Sequence, residues 1–303
     1  MMKPDRMSNP ATALEQAARD IRAHLGELYR CPDSRRIILC PGQLIGLIHI
    51  LCARRCESLL LTDEEYYTPH HFPGMKVSTC KPEEVVRVVQ HKRPGAVLMS
   101  VVSWKGRPLP VRQQFQRLRE HPDRPLLICD YAHAGAVGFP RFGGFGADII
   151  CGDVHKWVLP SAHMSQIGFV WATNRRLRES LSGTFRGYYL ATDQSIARAA
   201  RWISPQDLLS TAQWLRDAKP TRRTMLAAYR RNLARAREIA EFLCLSKPEK
   251  SCILWLPIQE VNRQARELRN IGSRGDVQFW RAAAGWRLIT FPSKQHSLRD
   301  TTP

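Results

Sequence analysis

Two short apolar runs, each closing on a group of ionisable side chains, constrain this chain more than any other feature. Leu126, Leu127, Ile128 and Cys129 lead into Asp130, Tyr131, Ala132 and His133. Ile149, Ile150 and Cys151 lead into Gly152, Asp153, Val154, His155, Lys156 and Trp157. Runs of this length and aliphatic content suit strands buried on both faces. In open α/β sheets ligands bind beyond the carboxyl ends of the strands, so a carboxylate, an imidazole and an amine following two such strands are expected around one crevice.

The rest of the chain alternates in the same manner. Strand-length apolar runs occupy residues 36–40, 58–62, 75–78, 96–102, 126–129, 149–151 and 166–171. Helix-length segments separate several of them, notably residues 82–90 and 111–120. Before them, Leu14, Ala17, Ile21, Leu25 and Leu28 share one helical face over residues 10–28, with Pro10 suited to the first turn. This order predicts a three-layer α/β/α domain with a mainly parallel seven-stranded sheet, over residues 1–218. A smaller C-terminal α/β domain is expected over residues 219–303. There Met225, Tyr229, Leu233, Ala236, Ala240 and Leu243 form a packing stripe, residues 252–256 and 285–291 read as strands, and residues 260–268 as a helix.

Composition narrows the function classes. No apolar run approaches the ~20 residues needed to cross a bilayer, and the N-terminus lacks a secretory apolar core, so a cytoplasmic protein with no membrane partner is expected. The nine cysteines lack zinc-type spacing, and Cys40, Cys129 and Cys151 end apolar runs, which predicts reduced thiols acting as small buried hydrophobes and no metal. The formal charge of +19, from 46 basic and 27 acidic residues, would attract anions. The arginines are nevertheless spread along the chain and accompany no nucleic-acid reader motif, which argues against nucleic acid as a partner.

The ordered set Asp130-Tyr131-Ala132-His133, Gly146-Ala147-Asp148 and Asp153-Val154-His155-Lys156-Trp157 resembles the signature of the class V aminotransferase family, in a short form. That family lies within fold type I of the pyridoxal phosphate enzymes and includes cysteine desulfurases and isopenicillin N epimerase. The resemblance implies pyridoxal 5'-phosphate as cofactor. Lys156 would hold its aldehyde as a Schiff base, Asp130 would pair with the protonated pyridine nitrogen and keep the ring an electron sink, and His133 would sit beside the ring.

Other matches are carried position by position. Gly42, Gln43 and Leu44 open an apolar helix whose free N–H groups would cradle the phosphate, although Leu44 lacks the hydroxyl relatives carry there. Tyr66 stands where relatives stack a histidine on the ring, and Ser103 where an asparagine contacts the phenolic oxygen. His155 would bond the phosphate or orient Lys156. Asp153 replaces a serine or asparagine, and its carboxylate would repel a phosphate unless an arginine intervened or it faced away. Ser204 aligns with a segment that reaches the partner subunit's phosphate, implying a homodimer with a shared active site. Arg287 would grip the substrate carboxylate, a surface arginine on an edge strand being the alternative. His163, in an altered loop after Lys156, is either a substrate contact or a surface residue.

These roles imply a pyridoxal phosphate enzyme acting on a small amino-acid-like substrate, foremost a lyase, with C–S bonds among the candidates. Only Cys244 and Cys252 follow Lys156, and both adjoin apolar segments, which speaks against a persulfide relay. An aminotransferase or epimerase using the same cofactor is the alternative, as is a binding protein of the same fold that has lost turnover.

Overall fold

A computed structural model describes residues 10–154, 156, 166–185, 203–272, 277–282 and 285–290, the last two stretches by their backbone alone. Seven strands form the large sheet: β1 (Ile38–Cys40), β2 (Ser58–Thr62), β3 (Lys76–Cys80), β4 (Ala96–Ser100), β5 (Leu126–Asp130), β6 (Ile149–Asp153) and β7 (Gly168–Ala172). Their order is β1-β7-β6-β5-β4-β2-β3, and β7 alone runs antiparallel to its neighbours. The sheet is therefore mainly parallel, as the alternation of apolar runs and helical segments predicts.

Alternate residues of each strand feed two cores, as the two-residue period of a pleated strand requires. In β4, Val97 and Met99 face one core while Ala96 and Leu98 face the other. The first core is closed by α1 (Pro10–Leu28), α3 (Val85–Lys92), α4 (Val111–Arg119) and α6 (Pro205–Ala218); the second by α2 (Gln43–Ala53) and α5 (Arg175–Phe185). Ala17, Ile21, Leu25 and Leu28 are essentially unexposed, so the predicted stripe of α1 is its buried face. Arg216 of α6 ties to Asp20 of α1 at 2.7 Å across the outer surface.

A second sheet lies toward the C-terminus, with β8 (Ile253–Pro257), β10 (Gly285–Thr290) and β9 (Val277–Ala282) antiparallel in that order. Helix α7 (Arg222–Phe242) packs Ala236, Ile239 and Ala240 against Leu254 and Leu256. The helix expected over 260–268 is instead two, α8 (Ile258–Arg263) and α9 (Ala265–Gly272). Gln264 separates them, and its Nε2 donates to Leu243 O at 2.9 Å, satisfying a carbonyl at the end of α7. The two sheets meet where Cys252 N donates to Ala136 O at 3.0 Å and Trp104 stands edge-on to Trp255 with ring centroids 4.7 Å apart.

All nine cysteines are free, and Cys40, Cys129 and Cys151 are fully buried. Among the described residues no helix is long and apolar enough to cross a membrane, and no cluster of His, Cys, Asp or Glu could hold a metal ion.

Candidate active site

Strands β1, β2, β4, β5 and β6 end along one edge of the sheet, and each is followed by a residue with chemical character. Gly42 and Gln43 follow β1, Glu65 and Tyr66 follow β2, Trp104 follows β4, His133 follows β5 and Lys156 follows β6. Tyr66, Ser100, Trp104, Asp130, His133 and Lys156 line one cavity at this edge.

Asp130 ends β5 between Ser100 of β4 and Cys151 of β6, which leaves it 3% exposed. Burial pushes its carboxyl pKa upward, while the charge of Lys156, the backbone N–H of Ala132 (2.6 Å) and the Gln43 amide favour the ionised form. Lys156 is pulled down by burial, but Asp153 and Asp130 outweigh this and hold its pKa above the ordinary lysine value. Its Nζ lies 3.0 Å from Asp153 Oδ2 and 5.6 Å from the centre of the Tyr66 ring. The amine, the buried carboxylate and a flat aromatic face thus converge on one space.

The Tyr66 segment is anchored from below. Glu65 is buried; its Oε1 accepts from Ser100 N at 2.8 Å and Thr62 Oγ1 at 3.1 Å, and its Oε2 accepts from Ser100 Oγ. Burial pushes its carboxyl up to about 8 despite these donors. Tyr67 is buried beside it, with its phenol raised chiefly by burial and then by the charge of Asp130. Tyr66 itself remains 51% exposed, a face open to a ligand.

The N-terminus of α2 joins this group through Gln43, whose backbone N bonds Asp153 and whose amide bonds Asp130. Gly42 adopts φ 112°, a left-handed geometry that favours glycine. Gly168, at the start of β7, lets this turn press onto the sheet, for a Cβ there would sit 2.5 Å from Gln43 N. Leu44 packs against the second core. Asp153 does not face away from this helix end: its Oδ1 accepts from Gln43 N at 3.2 Å.

Ser103 and Ser204 do not line this cavity in the single chain. Ser103 is buried in the turn after β4, where its Oγ accepts from Arg107 N at 3.0 Å; Ser100, Val102 and Trp104 line the cavity in its place. Ser204 caps α6, its Oγ accepting from Asp207 N at 3.3 Å. Arg287 lies on β10, the central and not an edge strand of its sheet, opposite Trp255 in register; its side chain is outside the described residues, as are His155, Trp157 and His163. Sequence reasoning missed Trp104, whose Nε1 donates to Asp63 O at 3.4 Å, and the buried Glu65. The only sequence signals were their positions beside Ser103 and Tyr66.

No protein-family model and no curated protein sequence matches the chain. Solved structures do resemble it. An aspartate aminotransferase of subgroup IV from Thermus thermophilus superposes with a TM-score of 0.67 at 15% identity, covering 99% of this chain and 90% of that one. An alanine–glyoxylate aminotransferase from Nostoc sp. gives 0.66 at 14%, with coverages of 96% and 85%. A PLP-dependent cyclase gives 0.61 at 18%, with coverages of 92% and 79%. At these identities what is shared is the fold, and the chain has the α/β architecture of fold type I.

Proposed function

We propose that this chain is a pyridoxal phosphate enzyme acting on a small amino-acid-like substrate. The observation that carries the reading is the convergence of the Lys156 amine and the buried Asp130 carboxyl on one cavity at the carboxyl edge of the sheet. A buried carboxyl and a half-buried amine on one cavity fit a pyridine ring and an aldehyde, and the exposed Tyr66 ring fits a flat ligand face. When bound, the cofactor supplies that aldehyde and an electron-accepting ring.

The chain's own residues would divide the work as follows. Lys156 would hold the aldehyde and would move the proton of the substrate Cα. Asp130 would hold a proton shared with the ring nitrogen. Tyr66 would offer its face to the ring, while Trp104, backed by Trp255, would exclude water from the β4 side. His133 stands on the wall, able to pass a proton at the rim. The start of α2, where Gln43 N now donates to Asp153 Oδ1, would be the end that receives the phosphate.

Two of the structural neighbours are named as aminotransferases, which favours amino-group transfer as the outcome. Elimination at Cβ or Cγ would use the same residues. The test is a visible spectrum of the purified protein with added pyridoxal phosphate, beside Lys156→Ala, followed by product analysis over a panel of amino acids. A Lys156-dependent absorption band with an aminated acceptor supports transfer; an eliminated fragment with keto acid makes it a lyase. A parent protein whose spectrum with added cofactor is only the sum of the protein and the free cofactor refutes the proposal.

A further inference from the structure

The end of the site that should receive a phosphate is already filled by an acid of the chain itself. Asp153, the last residue of β6, bonds Gln43 N at the start of α2 through Oδ1 and meets Lys156 Nζ through Oδ2. Its side chain is only 9% exposed. The sheet enforces this placement. Asp153 pairs in register with Gly168, and the missing side chain there is what allows the first turn of α2 to approach the end of β6. Neighbouring Leu44 brings no hydroxyl, and among the described residues Lys156 is the cation that pairs with this carboxylate.

A helix N-terminus favours one anion, through a few N–H groups and a partial positive charge. A phosphate ester arriving here brings about −1.5 to −2 of charge against a carboxylate that already holds the donor. An aldehyde of the same shape without the phosphate meets no such opposition. We propose that Asp153 is a built-in competitor for the cofactor's phosphate, so that this residue sets how strongly the site prefers a phosphorylated pyridoxal over its unphosphorylated counterpart. This rests on Lys156 being the aldehyde-binding amine. In that step the deprotonated Nζ adds to the aldehyde carbon, a C=N bond replaces C=O, and the oxygen leaves as water with no change of oxidation state.

The test compares pyridoxal phosphate with 5-deoxypyridoxal, which lacks both the phosphate and the hydroxyl that would close on the aldehyde. Dissociation constants are measured by absorbance for the full-length parent, Asp153→Ser and Asp153→Asn. The asparagine variant keeps the shape and an acceptor for Gln43 N; circular dichroism confirms that each variant is folded. The ratio of the two constants cancels any general effect of releasing Lys156. Removing the charge is expected to raise the preference for the phosphorylated aldehyde at least about tenfold, equivalent to ~1.4 kcal/mol. A smaller rise, no change or a fall in both folded variants overturns the inference and leaves the functional reading standing. Failure of both aldehydes to bind the parent at Lys156 overturns the functional reading, and this inference with it.

Discussion

Glu65 shows most plainly how single residues here trade stability for arrangement. Both its oxygens are bonded, yet burial pushes its pKa up to about 8 from the ordinary 4.5. The folded state therefore binds this proton more tightly than the unfolded chain. Its contribution to stability is present in acid and is lost as pH rises from about 4.5 through about 8. Glu65→Gln keeps the shape, can accept from Ser100 N and removes the charge. It is expected to flatten this segment of the pH–stability curve and to raise stability at pH 8, on the order of 2 kcal/mol. Urea unfolding at pH 5, 6.5 and 8 measures it; an equal effect of the substitution at all three pH values would contradict the account. At this scale the meeting of Asp130, His133, Tyr66 and Lys156 in one cavity is legible because each follows an apolar run closely. The orientation of Asp153 was not, since it depends on Gly168 and Gln43, both distant in sequence.

Elements position these side chains through close backbone approach. Gly168→Ala would drive a Cβ to 2.5 Å from both Gln43 N and Gly42 C, atoms that cannot rotate away. The expected cost is about 3 kcal/mol, the upper part of the range for overpacking. Gly74→Ala has open space around it and only its φ of 82° to oppose it, for a cost of roughly 1–2 kcal/mol. Thermal unfolding of the two variants side by side should rank them in that order, and equal melting temperatures would argue against the packing of α2 on β7. Helix α1 was readable because its apolar spacing and its burial coincide. The apolar run over 96–102 predicts one strand, but β4 ends at Ser100, and Val102 instead bridges Pro108 across a turn made at Gly106 with φ 85°. β9 went unread because its pairing with β10 is a tertiary choice that Gln278 and Arg281 do not advertise as alternation.

For the whole molecule, strand order and the meeting of the two sheets lie beyond periodicity. Trp255 belongs to the second sheet and meets Trp104 on the cavity wall only because β8 brings it there. We also propose a homodimer with a shared site, which rests on the family resemblance of the segment that contains Ser204. Sedimentation velocity should show a dimer. Dimerisation should strengthen as salt rises from 0.05 to about 0.3 M, because two chains of formal charge +19 repel and salt screens them. A monomer at every ionic strength would rule this assembly out.

One measurement bears on the centre of the account: borohydride reduction of the protein with pyridoxal phosphate, followed by peptide mass mapping. The account predicts a single reduced pyridoxyl group on the peptide containing Lys156, absent from Lys156→Ala. Labelling spread over the surface lysines, or the same yield in the variant, would contradict it.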